Sequence, residues 1–396
     1  MDRDKAVRFL HDLLRTMVER NGSDLLINVG MAPAAKIDGL VVPITGQALT
    51  SRHTQVLVRA LMNDKQSAEF DRDLECNFAV SVEDLARFRV SAFTQRGEVG
   101  MVLRRIQHHI PTFKEISMPA GPLEKIIMSK RGLVIVVGST SSGKSTTLAA
   151  MLGYRNQRSA DHIITIEDPI EFIHPHQRSM VTQREIGVDT DSYEVALKNT
   201  LRQAPDVILI GEIRDRETMN YGIAFAETGH LCLSTLHANN TNQALDRIIN
   251  LFPEERRQQL LLDLSLNLRA IISQRLIRKE KGPGRVPAVE ILINTPLMAD
   301  LILKGAVHEM KDLIRRSREQ GMQTFDQALF DLYESGQISY NDSVYNADST
   351  NDLRLRIKLE SDRAKREQEP GVIGDDTGFR VAQDPDEDVT LFGGES

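Results

Sequence analysis

Two rhythms of apolar and polar residues divide this chain. Over residues 4–20 the side chains Val7, Leu10, Leu14, Met17 and Val18 recur at helical spacing and Asn21-Gly22 marks a stop, which predicts one amphipathic helix. Short strand-like runs follow at 24–29, at 33–40 with its Asp38-Gly39 turn, and at 41–43, before a helical segment at 51–62. Further strands are predicted over 76–82, 86–95 and 97–106, the last two joined at Arg96-Gly97-Glu98. Helices mixed with short antiparallel strands predict an α+β domain over residues 1–108. Residues 109–122 hold three prolines and no clear period, and read as a linker.

Past the linker the rhythm changes. Short runs rich in Val, Ile and Leu at 133–137, 162–166, 207–210 and 231–236 alternate with helical segments, as in an α/β sheet. Residues 253–278 read as two helices, Lys281-Gly282-Pro283-Gly284 as a break, 289–293 as a strand and 296–333 as helical again. A second domain over 123–359 is therefore expected, an α/β unit followed by C-terminal helices. Hydrophobic density falls after Ser335, and the acidic stretch 360–396, poor in large apolar residues, is expected to be disordered.

Each of the four apolar runs is followed at once by polar chemistry. The first leads into Gly138-Ser139-Thr140-Ser141-Ser142-Gly143-Lys144-Ser145-Thr146, the spacing of a phosphate-binding loop set between a buried strand and the first turn of a helix. Glycines let successive N–H groups face one anion, and the helix N-terminus adds roughly half a positive charge. Lys144 would reach the β- and γ-phosphates of a nucleotide, and the Ser145 hydroxyl would hold Mg²⁺. The second run leads to Glu167, Asp168 and Glu171, three carboxylates crowded enough that at least one is expected to be catalytic. After the third run the residue in the place of the usual Walker-B aspartate is Gly211. Glu212 must then act on Mg²⁺ through water or on the attacking water itself, unless it merely bonds Arg214 at the surface. His230 and His237 bracket the fourth run, and a histidine at a sheet's carboxyl edge can donate to a γ-phosphate. In an open parallel sheet these four loops converge on one site.

Composition narrows the class. The net charge of −7 belongs to residues 360–396, where 11 Asp and Glu face 4 Lys and Arg; the remaining body is neutral. A neutral body without an aromatic-basic motif speaks against a nucleic-acid motor, and no guanine-specific [NT]KxD motif is present. Cys76 and Cys232 form no CxxC, which argues against zinc and fits a reducing compartment. His108-His109 has no third ligand at usable spacing and is expected to be a solvated pair. The charged start MDRDKAVRFL and the lack of any run near ~20 apolar residues predict a cytoplasmic chain with no membrane insertion.

The ordered boxes GSDLLINV, RFRVSAF, GSTSSGKST, ITIEDPIEF, VILIGEIRD and AETGHLCLSTLHANN resemble the secretion-superfamily ATPases, specifically the PilT/PilU family of type IV pilus retraction motors, over roughly residues 21–332. The resemblance implies a PAS-like N-terminal domain, a RecA-like ATPase domain, and a homohexamer with ATP between subunits that pulls on an inner-membrane pilus platform protein from the cytoplasmic face. It implies Glu171 and Glu212 as catalytic acids, His230 and His237 as the box histidines, and Arg89 and Arg104 as arginines reaching the nucleotide, with Arg87 and Arg105 as open alternatives. Two departures refine it. With only two cysteines the chain cannot carry the tetracysteine zinc site of the extension motors. The segment Leu297-Met298-Ala299-Asp300-Leu301-Ile302-Leu303-Lys304 stands where retraction motors show an AIRNLIRE-like helix. Together with the acidic tail, this likens the chain to the accessory members that work beside a PilT-type motor.

Overall fold

The computed structural model describes residues 2–37, 39–106 and 109–368. Asp38 of the expected turn, His108 of the histidine pair and residues 369–396 of the acidic tail lie outside the described residues.

The N-terminal elements are α1 (Arg3–Glu19), β1 (Asp24–Ile27), β2 (Ala34–Ile37), β3 (Leu40–Pro43), α2 (Ser51–Leu61), α3 (Asp64–Asp73), β4 (Glu75–Val82), β5 (Ala86–Gln95) and β6 (Glu98–Arg105). Their six strands form one antiparallel sheet in the order β3-β2-β1-β6-β5-β4. β5 alternates buried and half-buried residues, as expected of a sheet with one face on a core, and Phe88, Val90 and Ala92 point inward with Leu10, Leu14 and Leu57 of the helices. The opposite face of β5 carries Arg87 and Arg89. α3 was not anticipated: with Phe70 as its one buried residue, it has too little apolar periodicity to stand out.

After residues 109–119, α4 (Ala120–Ile127) leads into β7 (Gly132–Val137), α5 (Lys144–Asn156), β8 (His162–Glu167), β9 (Met180–Glu185), α6 (Tyr193–Thr200), β10 (Val207–Ile210), α7 (Arg216–Glu227) and β11 (Leu231–Leu236). Then come α8 (Thr241–Asn250), α9 (Glu254–Asn267), β12 (Leu268–Arg278) and β13 (Arg285–Ile293). The seven strands lie in the order β13-β12-β7-β11-β10-β8-β9, all parallel except β13 at one edge. Central parallel strands are covered on both faces, which is why every residue of β7, β10 and β11 is buried and their sequences are apolar runs rather than alternations. α5 covers one face and α7 to α9 the other.

The expectation of two helices over 253–278 is corrected here: the segment is a helix followed by the long strand β12. Leu264, Leu268, Ile271 and Ile272 keep a helical spacing, yet β12 carries apolar residues on both faces, Ile271 in the core on one side and Ile272 in the core on the other, interspersed with Arg269, Ser273, Gln274 and Arg275, and that mixture imitates a helical period. β12 pairs with β7 through a register shift at Leu268/Ala270, a bulge centred on Arg269.

The C-terminal region is helical: α10 (Pro296–Leu303), α11 (Val307–Arg316), α12 (Phe325–Glu334), α13 (Tyr340–Tyr345), α14 (Thr350–Glu360) and α15 (Asp362–Gln368). The boundary at residue 360 is a second correction. α15 is folded against the rest of the molecule: the Arg363 guanidinium donates to Glu280 Oε1 and Oε2 at 2.7 and 2.9 Å, and Ala364 joins the core around Phe325 and Tyr333. Among the described residues no helix is long and apolar enough to cross a membrane.

Candidate active site

β7, β11, β10 and β8 are neighbours, and the loops leaving their carboxyl ends enclose a cavity of about 510 Å³. Residues from all four of these loops line it, while Gly138, Ser139 and His230, assigned to the same strand ends, do not.

The floor is residues 140–146. Gly143 occupies the N-cap of α5 in the left-handed conformation, φ +89°, and no side chain caps that end. The first-turn N–H groups of α5 are therefore open toward the cavity, where an anion would satisfy them. Lys144 Nζ donates to Gly138 O at 3.0 Å and Ser139 O at 2.9 Å, which leaves one of its three protons for a ligand. Burial draws the Lys144 ammonium below its ordinary pKa, opposed by the charges of Glu212 and Glu171. The hydroxyl of Ser142 is buried with no partner. An uncapped helix start, a poised ammonium and an orphaned hydroxyl fit a phosphate chain. Gly138 and Ser139 border an adjacent groove rather than this cavity.

Glu167, Asp168 and Glu171 all line the cavity, and they are not equivalent. Half-buried Glu167 accepts from Thr165 Oγ1 at 2.7 Å and Gln183 Nε2 at 3.2 Å, and desolvation pushes its carboxyl up to about 7. Glu212 faces the cavity and also binds Arg214: its Oε2 accepts from Arg214 Nε at 2.8 Å while its Oε1 lies 3.0 Å from His237 Nε2. Arg214 Nη1 reaches on to Asp168 Oδ2 at 3.2 Å, so a rim of alternating charge runs from Asp168 through Arg214 to Glu212 and ends on the His237 imidazole. His237 is held below the ordinary imidazole pKa by desolvation and by the Lys144 charge.

The missing Walker-B aspartate has a steric reason. A Cβ at Gly211 would lie 2.9 Å from Tyr193 Oη, 3.2 Å from Glu167 Cα and 3.3 Å from Ile166 O. A side chain at this position would crowd the backbone of β8 and the Tyr193 hydroxyl, and the acid stands one residue later.

His230 stands away from the cavity. It precedes β11 at the amino edge of the sheet, where its carbonyl accepts from Gly132 N at 3.1 Å and its Nδ1 lies 3.0 Å from Thr228 Oγ1. The length of β11 puts it roughly 20 Å from His237. The expectation that both histidines face the phosphate loop is corrected: only His237 does.

Arg89 and Arg104 are also away from the cavity of their own chain. They sit directly opposite one another on β5 and β6, a single basic patch. Arg104 Nε donates to Asp24 Oδ1 at 2.7 Å with its side chain 69% exposed. Arg87 and Arg89 face Glu185 on β9, whose carboxyl is raised by burial and lowered by these two charges.

Among the described residues no three His, Cys, Asp or Glu side chains gather to hold a metal. Ser145 and Glu212 offer one hydroxyl and one carboxylate on the same cavity, the sparse donor set that suits a Mg²⁺ keeping its waters and taking phosphate oxygens. Sequence reasoning passed over Tyr193, whose buried hydroxyl has no partner, His174, whose pKa burial depresses to about 4, and Arg285 at the start of β13. Tyr193 and Arg285 reach the cavity from elements that the apolar pattern does not tie to it.

The profile of the family described as Type II/IV secretion system protein matches residues 2–285. The chain is 60% identical over 350 residues to the Type IV pilus ATPase PilU of Pseudomonas aeruginosa, covering 88% of this chain and 91% of that one. It is 42% identical over 328 residues to the Type IV pilus retractation ATPase PilT of the same organism, covering 83% and 95%. The crystal structure of the pilus retraction motor PilT with bound ADP superposes with a TM-score of 0.81 at 37% identity, covering 87% of this chain and 98% of that one. The chain belongs to the Type II/IV secretion system protein family and is an ATPase of the PilT and PilU kind, with an N-terminal domain, a RecA-like ATPase domain and a helical C-terminal region.

Proposed function

We propose that this chain is an ATP-hydrolysing motor of the type IV pilus machinery that acts in pilus retraction, and hence twitching motility, as the accessory partner of a PilT-type motor. The observation that carries it is the single cavity in which an uncapped α5, Lys144, Glu171, Glu212 and His237 meet. The α5 N–H groups and Lys144 bind the phosphates and place the terminal one, and Glu171 or Glu212 orients the attacking water and takes its proton. His237, neutral before the nucleotide arrives and close to Glu212, senses the terminal phosphate through that carboxylate. Mg²⁺, held by Ser145 with Glu212 acting directly or through water, would neutralise the phosphate charge.

Residues 1–108 and 123–368 are read as the two domains that rotate on the linker 109–122. The working form is a homohexamer, at the cytoplasmic face of the inner membrane, that pulls on the platform protein of the pilus. Support for an assembly comes from Arg89 and Arg104, which do not line their own chain's cavity and leave an exposed guanidinium for a neighbour's.

Lys144→Ala should reduce ATP turnover by at least ~10³-fold, because phosphate charge loses its principal cationic partner. Near-normal hydrolysis by the pure variant would sink the site assignment. The cellular half of the proposal is tested by tracking pilus retraction with and without this chain, in cells that hold or lack a PilT-type motor. Retraction unaffected by its loss in both backgrounds would refute it.

A further inference from the structure

Gln274 sits in the middle of β12, 2% exposed, on the face that packs on α5. Its Oε1 accepts from Thr147 Oγ1 at 2.8 Å, and its Nε2 donates to Ser142 O at 2.5 Å. Its own carbonyl lies 2.7 Å from where a Cβ on Gly138 would be, and its Nε2 is 3.0 Å from the corresponding point on Gly143. One buried amide therefore grips the phosphate loop at its middle and the following helix one turn in, with Gly143 against that amide and Gly138 against the residue's backbone carbonyl.

The next residue faces the other way, as the two-residue period of a strand requires. Arg275 donates to Asn239 O at 3.2 Å, to Asn346 O at 2.6 Å and to Asp348 Oδ1 at 2.7 Å, and stacks over Phe325 with 4.0 Å to the ring centroid. Asp348 also accepts from Lys311 Nζ at 2.7 Å. The amides of Asp348 and Ser349 both donate to Asp326 at 2.8 and 3.1 Å. Apart from Asn239, in the loop after β11, these partners come from α11, α12 and the turn between α13 and α14. Adjacent residues of one strand thus hold the phosphate loop and the C-terminal helices.

We propose that Gln274 is a positioning residue for the phosphate loop, and that through Arg275 it passes the loop's position to the C-terminal helices around Asp348. The inference rests on the reading of the cavity as a nucleotide site. A loop that closes on a phosphate chain pulls Ser142 O and Thr147 Oγ1 against an amide with no slack. The strand must follow, and it carries Arg275 with it.

The test uses the full-length chain, with ADP as the probe. Gln274→Leu keeps the volume and removes both bonds. It should weaken ADP binding about tenfold and raise the KM for ATP by a similar factor, the size expected from two lost hydrogen bonds at a preorganised loop. In the unaltered chain, ADP should change hydrogen exchange at the Asp348 and Ser349 amides severalfold. In Gln274→Leu at saturating ADP that change should vanish. Wild-type ADP affinity in Gln274→Leu, or a full exchange response in it, overturns the proposal. If Gln274→Leu does not fold, the comparison passes to Thr147→Val, expected to behave as above, against Thr147→Ser, which keeps the hydroxyl and should restore the response; equal behaviour of the two overturns it. Failure of the unaltered chain to bind ADP would instead refute the cavity reading, whereas binding without any exchange response refutes only the coupling.

Discussion

The pocket's carboxylates divide by environment rather than by identity. Glu167 is desolvated at the end of β8, and its carboxyl stands at about 7 where an ordinary glutamate stands near 4.5. A folded-state pKa above the unfolded one means that the native state binds the extra proton. The associated stability is therefore intact below pH ~4.5 and is lost as pH rises toward 7. Glu167→Gln, uncharged at every pH, should be no more stable than the unaltered chain at pH 4.5 but more stable at pH 8 by about 1–3 kcal/mol, read from urea unfolding of nucleotide-free protein. An identical difference at both pH values would show that Glu167 ionises freely. Sequence alone exposed the crowding of Glu167, Asp168 and Glu171 but not this ranking, which depends on Thr165, Gln183 and the strand edge around them. It likewise placed Glu212 between two fates, a cavity acid and a partner of Arg214, that the folded chain combines.

At the scale of elements, the phosphate loop, the four central strands and the first domain's helix and strands were legible because each has a strong period or an unbroken apolar run. β9, α3 and β12 were not. β9 is polar for a strand, α3 buries a single phenylalanine, and β12 imitates a helix because the apolar residues on both its faces are interspersed with polar ones. His230 was misplaced for a simpler reason: two histidines that flank a strand necessarily stand at opposite edges of its sheet. The close approach of β10 to β8 at Gly211 also has consequences. Gly211→Ala should destabilise the chain by about 1–3 kcal/mol through overpacking. Tyr193→Phe on that background should return part of the loss by removing the nearest atom, while Glu167 Cα still resists. A purely additive cycle in urea unfolding would mean that the tyrosine hydroxyl is not the obstacle.

For the whole molecule, the separation of the basic pair from its own cavity is the largest fact to be explained. Arg89 and Arg104 stand side by side on the N-terminal sheet, and a transition-state arginine supplied by a neighbouring subunit is typically worth roughly 10³–10⁵ in rate. Mixing Arg104→Ala chains with Lys144→Ala chains should then restore part of the ATP turnover that each lacks alone, since some interfaces will combine an intact loop with an intact arginine. Absence of rescue at every mixing ratio would place the arginine's action within one chain.

The bulge at Arg269 bears on how this protein could be rebuilt. Because successive residues of a strand face opposite ways, the single extra residue there decides which of Gln274 and Arg275 meets the phosphate loop and which meets the C-terminal helices. The parity of β12 is in effect a switch with two settings, one functional. Lengthening the turn at 279–284, beyond the paired residues Arg278 and Arg285, leaves that setting alone and should accept a short epitope or fluorophore tag with ATP turnover within about twofold. One residue added or removed between positions 269 and 274 reverses it, and should abolish turnover even where the chain still folds. Two edits a few residues apart on the same hairpin are thus expected to have opposite fates, which a paired-insertion experiment would read directly.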